Sequence, residues 1–454
     1  MARAQASAAI HLAVRSIAKL RALKAIPLQA QQETIVSVLG SSIPQTASAS
    51  ASLTRSLSLA HATLYGLGVT IGAGIYVLIG AAAARAGMHA PLAFVVAAAL
   101  MALSAASFAE LACRYPVAAG EAAYARVAFG SRKIATAVGL LVVAIALVSA
   151  AAISIGSAGY LSVFFPLPAP ILVAAVVIAM GAIAAWGIKQ SVSFAGIMTL
   201  IEIGGLLLLI LIGVASDGPV VARLPEMIPS PNPALLAGLV GTVLLAVFAF
   251  IGFEGLANIA EEVRQPKLTL PRAIFLTLAI STLLYVCVVW VALITVGPSE
   301  LAQSQAPLAL VFERLTGASP RTMSAIAVIA TLNGIIVQII MASRVLYGLA
   351  HQGDLPAPFG SVSSRTHTPL PATVFATLVV LMLALALPLH SLAEVTSRLT
   401  LVVFTMVNLS LIVIKKREMS LVTEGYEAPA WAPWAGAGAC LLLLALDAWF
   451  LVRS

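Results

Sequence analysis

Two glutamates stand where carboxylates are costly. Glu202 lies in Thr199-Leu200-Ile201-Glu202-Ile203-Gly204-Gly205 ahead of an aliphatic run, and Glu254 sits inside FAFIGFEGLAN, Phe248 to Asn258. A carboxylate at a bilayer centre costs on the order of 3 kcal/mol even on the lenient insertion scale, so each is a functional candidate by default. The chemistry open to them is proton binding, since a glutamate that can be neutral in a membrane can also carry a proton. For Glu202 the structural alternative is a neutral acid bonded to a neighbouring helix.

Glycines supply the second chemical feature. Tyr65 to Gly80 reads YGLGVTIGAGIYVLIG and holds Gly66, Gly68, Gly72, Gly74 and Gly80. Each weakens a helix by roughly 1 kcal/mol relative to alanine. The chain is expected to open at Gly72-Ala73-Gly74 and leave amide and carbonyl groups free, which hydrocarbon tolerates only where they line a cavity or meet a ligand. Close helix packing through small residues is the alternative. Gly252 and Gly255 interrupt the Glu254 stretch in the same way. Two interrupted membrane helices, one in each half, point to a carrier built from inverted repeats with its site at the midplane.

The elements that must hold these residues follow from composition. The chain has 454 residues, 61% hydrophobic and 9% charged, with mean hydropathy +1.06. A soluble domain carries about 25% charged residues, so a polytopic membrane protein is expected. Apolar runs predict eleven spans, near 60–84, 91–113, 133–164, 170–188, 192–214, 236–260, 272–296, 322–350, 370–388, 393–414 and 433–451. Placing the N-terminus in the cytoplasm puts 19 of the 25 Lys and Arg inside and leaves 6 outside, namely Arg85, Arg223, Arg314, Arg321, Arg398 and Arg453. The positive-inside rule therefore explains the net charge of +8 without nucleic acid. Cys113, Cys287 and Cys440 lie on separate spans without CxxC spacing, and the six histidines fall in the tail, loops or span ends. Neither a disulfide framework nor a metal centre is expected, and no cofactor is implied.

The predicted organisation is a basic cytoplasmic tail at 1–58, a first repeat at 59–214, an external loop at 215–235, a second repeat at 236–417, and a cytoplasmic loop with the last span at 418–454. The tail reads as disordered or as a short helix lying on the inner leaflet. At the inner surface, Glu110 and Arg114 end the second span, while Glu261 and Glu262 follow the sixth. These four are candidate gate charges whose ion pairs form and break as helices move; the alternative is a solvated loop. Span 8 carries Asn333, Gln338 and Ser343, and its Arg344 snorkels to the inner surface. Glu394, Arg398 and Asp447 read as interfacial.

Four segments carry a family resemblance: TIGAGIYVLIG in span 1, SFAELACRYPVAAG after span 2, FAFIGFEGLANIAEEVRQPKLTLPRAI through span 6, and ASRVLYGLAHQGDLP after span 8. In this order they resemble the amino acid/polyamine/organocation (APC) superfamily of permeases, from about Ala60 to Arg417. The resemblance implies an all-α leucine-transporter-like fold. Spans 1–5 and 6–10 would be related by a pseudo-two-fold axis in the membrane plane, with helices 1 and 6 broken and a central site. It further implies that a substrate α-carboxylate is held by amides at Ala73, Gly74 and Ile75 beside Gly72. The α-amino group would meet the carbonyls of Thr70, Phe248 and Ile251 beside Gly252. Independently of the family, free N–H groups at a half-helix N-terminus form an anion site. Phe248, Phe250 and Phe253 imply an apolar lining that favours neutral substrates.

In several proton-responsive relatives the position of Glu254 is acidic, while Glu202 falls where some relatives carry a lysine in place of a sodium ion. One of the two is expected to bind the coupling proton, with Glu254 favoured for its place in the broken helix. Many relatives have twelve spans rather than eleven. The expected function is a secondary active amino acid transporter of the cytoplasmic membrane, a proton symporter of neutral amino acids, with an amino acid/amine or amino acid/amino acid exchanger as the alternative. No repeated filter supports a channel, and no metal cluster, nucleotide loop or Ser/His arrangement supports an enzyme.

Overall fold

The computed structural model describes residues 57–453 apart from 117–119, 188–191, 217–221, 230–232, 261 and 418–424. The expected tail up to Ser56, the Glu261 carboxylate and parts of the expected loops lie outside the described residues. The first part of the chain forms α1 (Leu59–Ala86), α2 (Ala90–Arg114), a short α3 (Gly120–Phe129), α4 (Arg132–Leu161), α5 (Ala169–Trp186) and α6 (Val192–Ala215). Next come α7 (Pro233–Phe250), a 3-10 segment (Phe253–Ile259), α8 (Pro266–Thr295), short α9 (Pro298–Gln303) and α10 (Pro307–Thr316), and α11 (Arg321–His351). The chain closes with α12 (Leu370–Ala386), α13 (Leu389–Arg417) and α14 (Ala432–Arg453).

Nine apolar stretches among the described residues are long enough to cross a membrane; one of them, Gly74–Arg114, takes in the end of α1 and all of α2, and α12 is a shorter apolar helix. Helices dominate because hydrocarbon offers no water to backbone groups, so each segment must bond its own. The protein is a multi-pass membrane protein.

At the centre stands α1, packed against α6, α7, α8, α9, α11 and the 3-10 segment. Its glycines explain a departure from the sequence reading. α1 is one helix of 28 residues running through Gly72-Ala73-Gly74, so the expected break in helix 1 is corrected to an unbroken helix. A Cβ at Gly74 would collide with Ala249 Cα, and one at Gly72 would come 2.9 Å from the Ala330 carbonyl oxygen. These glycines let neighbouring backbones close in, and the packing gained offsets their weak helix propensity.

The second expected break is present. α7 stops at Phe250 and the chain turns at Gly252, with φ +137°. An L side chain is strained at that angle. Ile251 N donates to Phe248 O at 3.2 Å, and Gly255 N to Gly252 O at 3.0 Å. Beyond the 3-10 segment, Val263 pairs in parallel with Leu57 at the start of α1. Leu57 N donates to Glu262 O at 3.0 Å and Arg264 N to Leu57 O at 2.9 Å, so the Leu59 end of α1 is tied by backbone to the chain after the break.

Polar side chains hold the last helices. Asn408 of α13 donates to Ser104 Oγ of α2 and to Phe404 O, both at 2.9 Å, and accepts from Ser107 Oγ at 2.6 Å. Gly436 of α14 packs on the Asn408 amide group, where a Cβ would come within 2.7 Å. Replacing Asn408 with leucine keeps the volume but removes the partner of two buried hydroxyls. The expected loss is about 2 kcal/mol, read as a lower unfolding midpoint in detergent; an unchanged midpoint would show that the network contributes nothing to stability.

Candidate functional site

The candidate site residues meet where α1 crosses the end of α7. The helices touch backbone to backbone at two levels, Gly74 on Ala249 and Thr70 on Gly252, where a Cβ on Gly252 would lie 2.7–2.8 Å from Thr70 N, Cα and Oγ1. Thr70 is buried, and its hydroxyl oxygen has no hydrogen-bond partner among the described residues. Across the turn, Glu254 Oε2 accepts from Gly252 N at 2.8 Å. Gly252 is the N-cap of the 3-10 segment, and a carboxylate has the favourable sign of charge at a helix N-terminus. Tyr285 of α8 reaches both helices, its hydroxyl 2.9 Å from Thr70 O and 3.0 Å from Ala249 O.

Glu202 of α6 lies behind α1, fully buried. A Cβ at Gly72 would stand 3.4 and 3.5 Å from its two carboxylate oxygens, with the Ala330 carbonyl of α11 on the same side. Asn333 Nδ2 is 3.4 Å from Glu202 Oε1, a long contact for a hydrogen bond. Oε2 has no partner, and Glu202 makes no ion pair among the described residues. Its backbone is better held: Tyr76 Oη donates to Glu202 O at 2.7 Å, and Tyr160 Oη donates to Tyr76 O at 2.6 Å. The carboxyl group is thus fixed in place yet left to be completed by a proton or a small cation.

The structure brings Thr70 and Gly74 of α1 together with Ala249 and Gly252 at the end of α7, and places Phe248, Ile251 and Ile75 in the core beside them. The amides of Ala73, Gly74 and Ile75 lie inside the unbroken helix, where each N–H meets the carbonyl four residues earlier. Of the three phenylalanines expected to line the site, Phe250 packs on Phe94 and Tyr285, and Phe253 on Phe108 and Phe404. Phe248 is fully buried without a ring partner among the described residues.

Of the four candidate gate charges, Glu261 lies outside the described residues. Glu110 pairs with Arg114 at 2.6 Å and with Lys415 at 2.9 Å, and accepts from Ala428 N at 2.8 Å. It therefore anchors the chain ahead of α14 to α2 and α13. Glu262 offers its carbonyl to Leu57. At the other end of α1, Arg85 pairs with Glu394, which also pairs with Arg398 at 3.0 Å, and Arg398 with Asp447 at 2.7 Å. This chain of charges joins α1, α13 and α14. Beside it opens a cavity of about 590 Å³ lined by Tyr76, Gly80, Arg85, Tyr160, Gln305 and His390.

Sequence reading missed Tyr285, Tyr76 and Tyr160. Their only signal is a phenol inside an apolar run, which in a membrane has to find a carbonyl.

Among the described residues, a helical, multi-pass membrane protein with an interrupted helix and the buried acid Glu202 at its centre has the features of a class, the membrane carriers. The chain belongs within it to the amino acid permease family of the APC superfamily: the family model described as "Amino acid permease" matches residues 57–453. The chain is 28% identical over 399 residues to the branched-chain amino acid permease BcaP of Bacillus subtilis (strain 168), covering 82% of this chain and 83% of that protein. It is 26% identical to the methylthioribose transporter of the same organism, over 87% of this chain and 88% of that one. To the vacuolar cationic amino acid transporter 2 of Arabidopsis thaliana it is 29% identical, over 80% of this chain and 60% of that protein.

Proposed function

We propose that this chain is a secondary active transporter of the cytoplasmic membrane, N-terminus inside, that moves neutral amino acids by alternating access together with a proton. The observation that carries the reading is the turn at Gly252 pressed onto Thr70, with Glu202 and Glu254 on either side of the crossing. The helix pairing supports two repeats of five. α1 packs on α7, α2 on α8, α4 on α11 and α5 on α12, so four first-half helices meet their second-half counterparts. Carbonyls of Thr70, Phe248 and Ile251 take the ammonium group. Recognition of the carboxylate at Ala73, Gly74 and Ile75 requires α1 to open during the cycle, and its glycines make that turn the least costly one to open. Ile75, Phe248 and Ile251, all buried and apolar, favour a neutral side chain. The relatives named for branched-chain and for cationic amino acids bracket the choice.

The test is counterflow into proteoliposomes with two labelled probes, leucine and lysine. Leucine is expected to exchange, and to accumulate when the outside is made acid. Counterflow without such accumulation would replace symport with exchange, and lysine uptake without leucine uptake would reverse the substrate class. No counterflow of either would overturn the carrier reading.

A further inference from the structure

Tyr285 is fully buried in α8 at the point where α1 and α7 meet. Its hydroxyl lies 2.9 Å from Thr70 O and 3.0 Å from Ala249 O. A phenol has one proton, so at any instant it donates to one of the two carbonyls. Those carbonyls are not equivalent. Thr70 O lies inside α1, where the N–H four residues on is its helical partner. Ala249 O belongs to the last turn of α7, where a helix runs out of its own donors. The ring cannot swing away, because it is packed between Phe94 of α2 and Phe250 of α7, with centroids 5.9 and 5.2 Å off.

We propose that Tyr285 is a positioning residue of the substrate site, setting the spacing of the Thr70 and Ala249 carbonyls and turning its oxygen to the substrate ammonium when that group docks on Thr70. The proposal rests on the carrier reading above. An ammonium group brings three donors and no acceptor. A hydroxyl can keep its proton on Ala249 O while a lone pair faces the incoming N–H, so the group that bridges the helices becomes a ligand without moving its ring. A lysine or a second carbonyl at this position could not do both.

The test uses whichever labelled probe, leucine or lysine, the wild-type protein exchanges. Tyr285→Phe removes one oxygen and keeps the ring packing. We compare the KM of counterflow, and the ratio of the inhibitory concentration of the desamino analogue (4-methylpentanoate or 6-aminohexanoate) to that of the amino acid. The variant should raise KM about tenfold, the size of a hydrogen bond to a charged group, with the maximal rate nearly kept. The ratio should fall by a similar factor, since only the ammonium-bearing ligand loses a contact. Phe94→Leu, which loosens the ring cluster but keeps the hydroxyl, should leave the ratio unchanged. Protection of detergent-solubilised protein against heat by the same ligands reads the ratio without requiring transport. A Tyr285→Phe protein with an unaltered ratio, whatever its KM, overturns the proposal. Wild-type protein that exchanges neither probe overturns the carrier reading, and this one with it.

Discussion

Gly252→Ala is expected to abolish counterflow while the protein still inserts and remains monodisperse. Two costs coincide at that position. The backbone turns with φ +137°, a conformation worth roughly 1–3 kcal/mol of strain for a residue with a Cβ. The added carbon would also meet Thr70 N and Cα at 2.7 and 2.8 Å. These are backbone atoms of the central helix, so no rotamer change relieves the overlap; α1 and the end of α7 must move apart. Since the proposed site is that crossing, the initial rate should fall roughly five- to a hundredfold from the strain alone, at about tenfold per 1.4 kcal/mol, and further from the overlap. Gly255→Ala supplies the contrast within the same segment, because its Cβ would meet only Val69 Cγ1, at 4.0 Å. It should transport within about twofold of wild type, as surface-like substitutions do. Equal rates for the two variants would remove the Gly252 turn from the site.

The contrast between α7 and α1 shows what could be read from the chain. The helices are legible because a run of some twenty apolar residues has few other fates. The break at Gly252 is legible as well: a glycine followed two residues later by a glutamate supplies both the unusual φ and the acceptor for the freed N–H. Gly72 and Gly74 carry the same local weakness, but what decides their fate is distant in sequence. Ala330 and Ala249 come close enough to use the missing side chains, and the helix stays closed. The same limit applies to Glu110. Its spacing to Arg114 is visible, whereas Lys415 and the Ala428 amide reach it only once α13 and α14 have docked. Tyr285 was illegible for the opposite reason: STLLYVCVVW has no partner pattern at all, and the two carbonyls that give the phenol its role belong to other helices. The cost of a carboxylate in a membrane marks both Glu202 and Glu254, and sequence favours Glu254 for its place in the broken helix; we propose Glu202 first instead, because it keeps an orphan oxygen while the Glu254 carboxylate is engaged.

That ranking leads to the expectation that Glu202→Gln uncouples transport without stopping it. An amide fills the same volume and can still face Asn333, so the packing of α6 on α1 and α11 should hold; what it cannot do is take up and release a proton. With one proton carried per amino acid, an outside one pH unit more acid supports at most about tenfold accumulation of labelled leucine. Glu202→Gln proteoliposomes should equilibrate near unity under the same gradient while counterflow, which needs no net proton movement, stays within about threefold of wild type. Glu254→Gln should keep accumulating, at a lower rate, because a glutamine oxygen still accepts from the Gly252 amide. The reverse pattern would place the coupling proton on Glu254. Undiminished accumulation in both variants would place it on neither, and the reading of Glu202 would reduce to a neutral acid wedged behind the central helix.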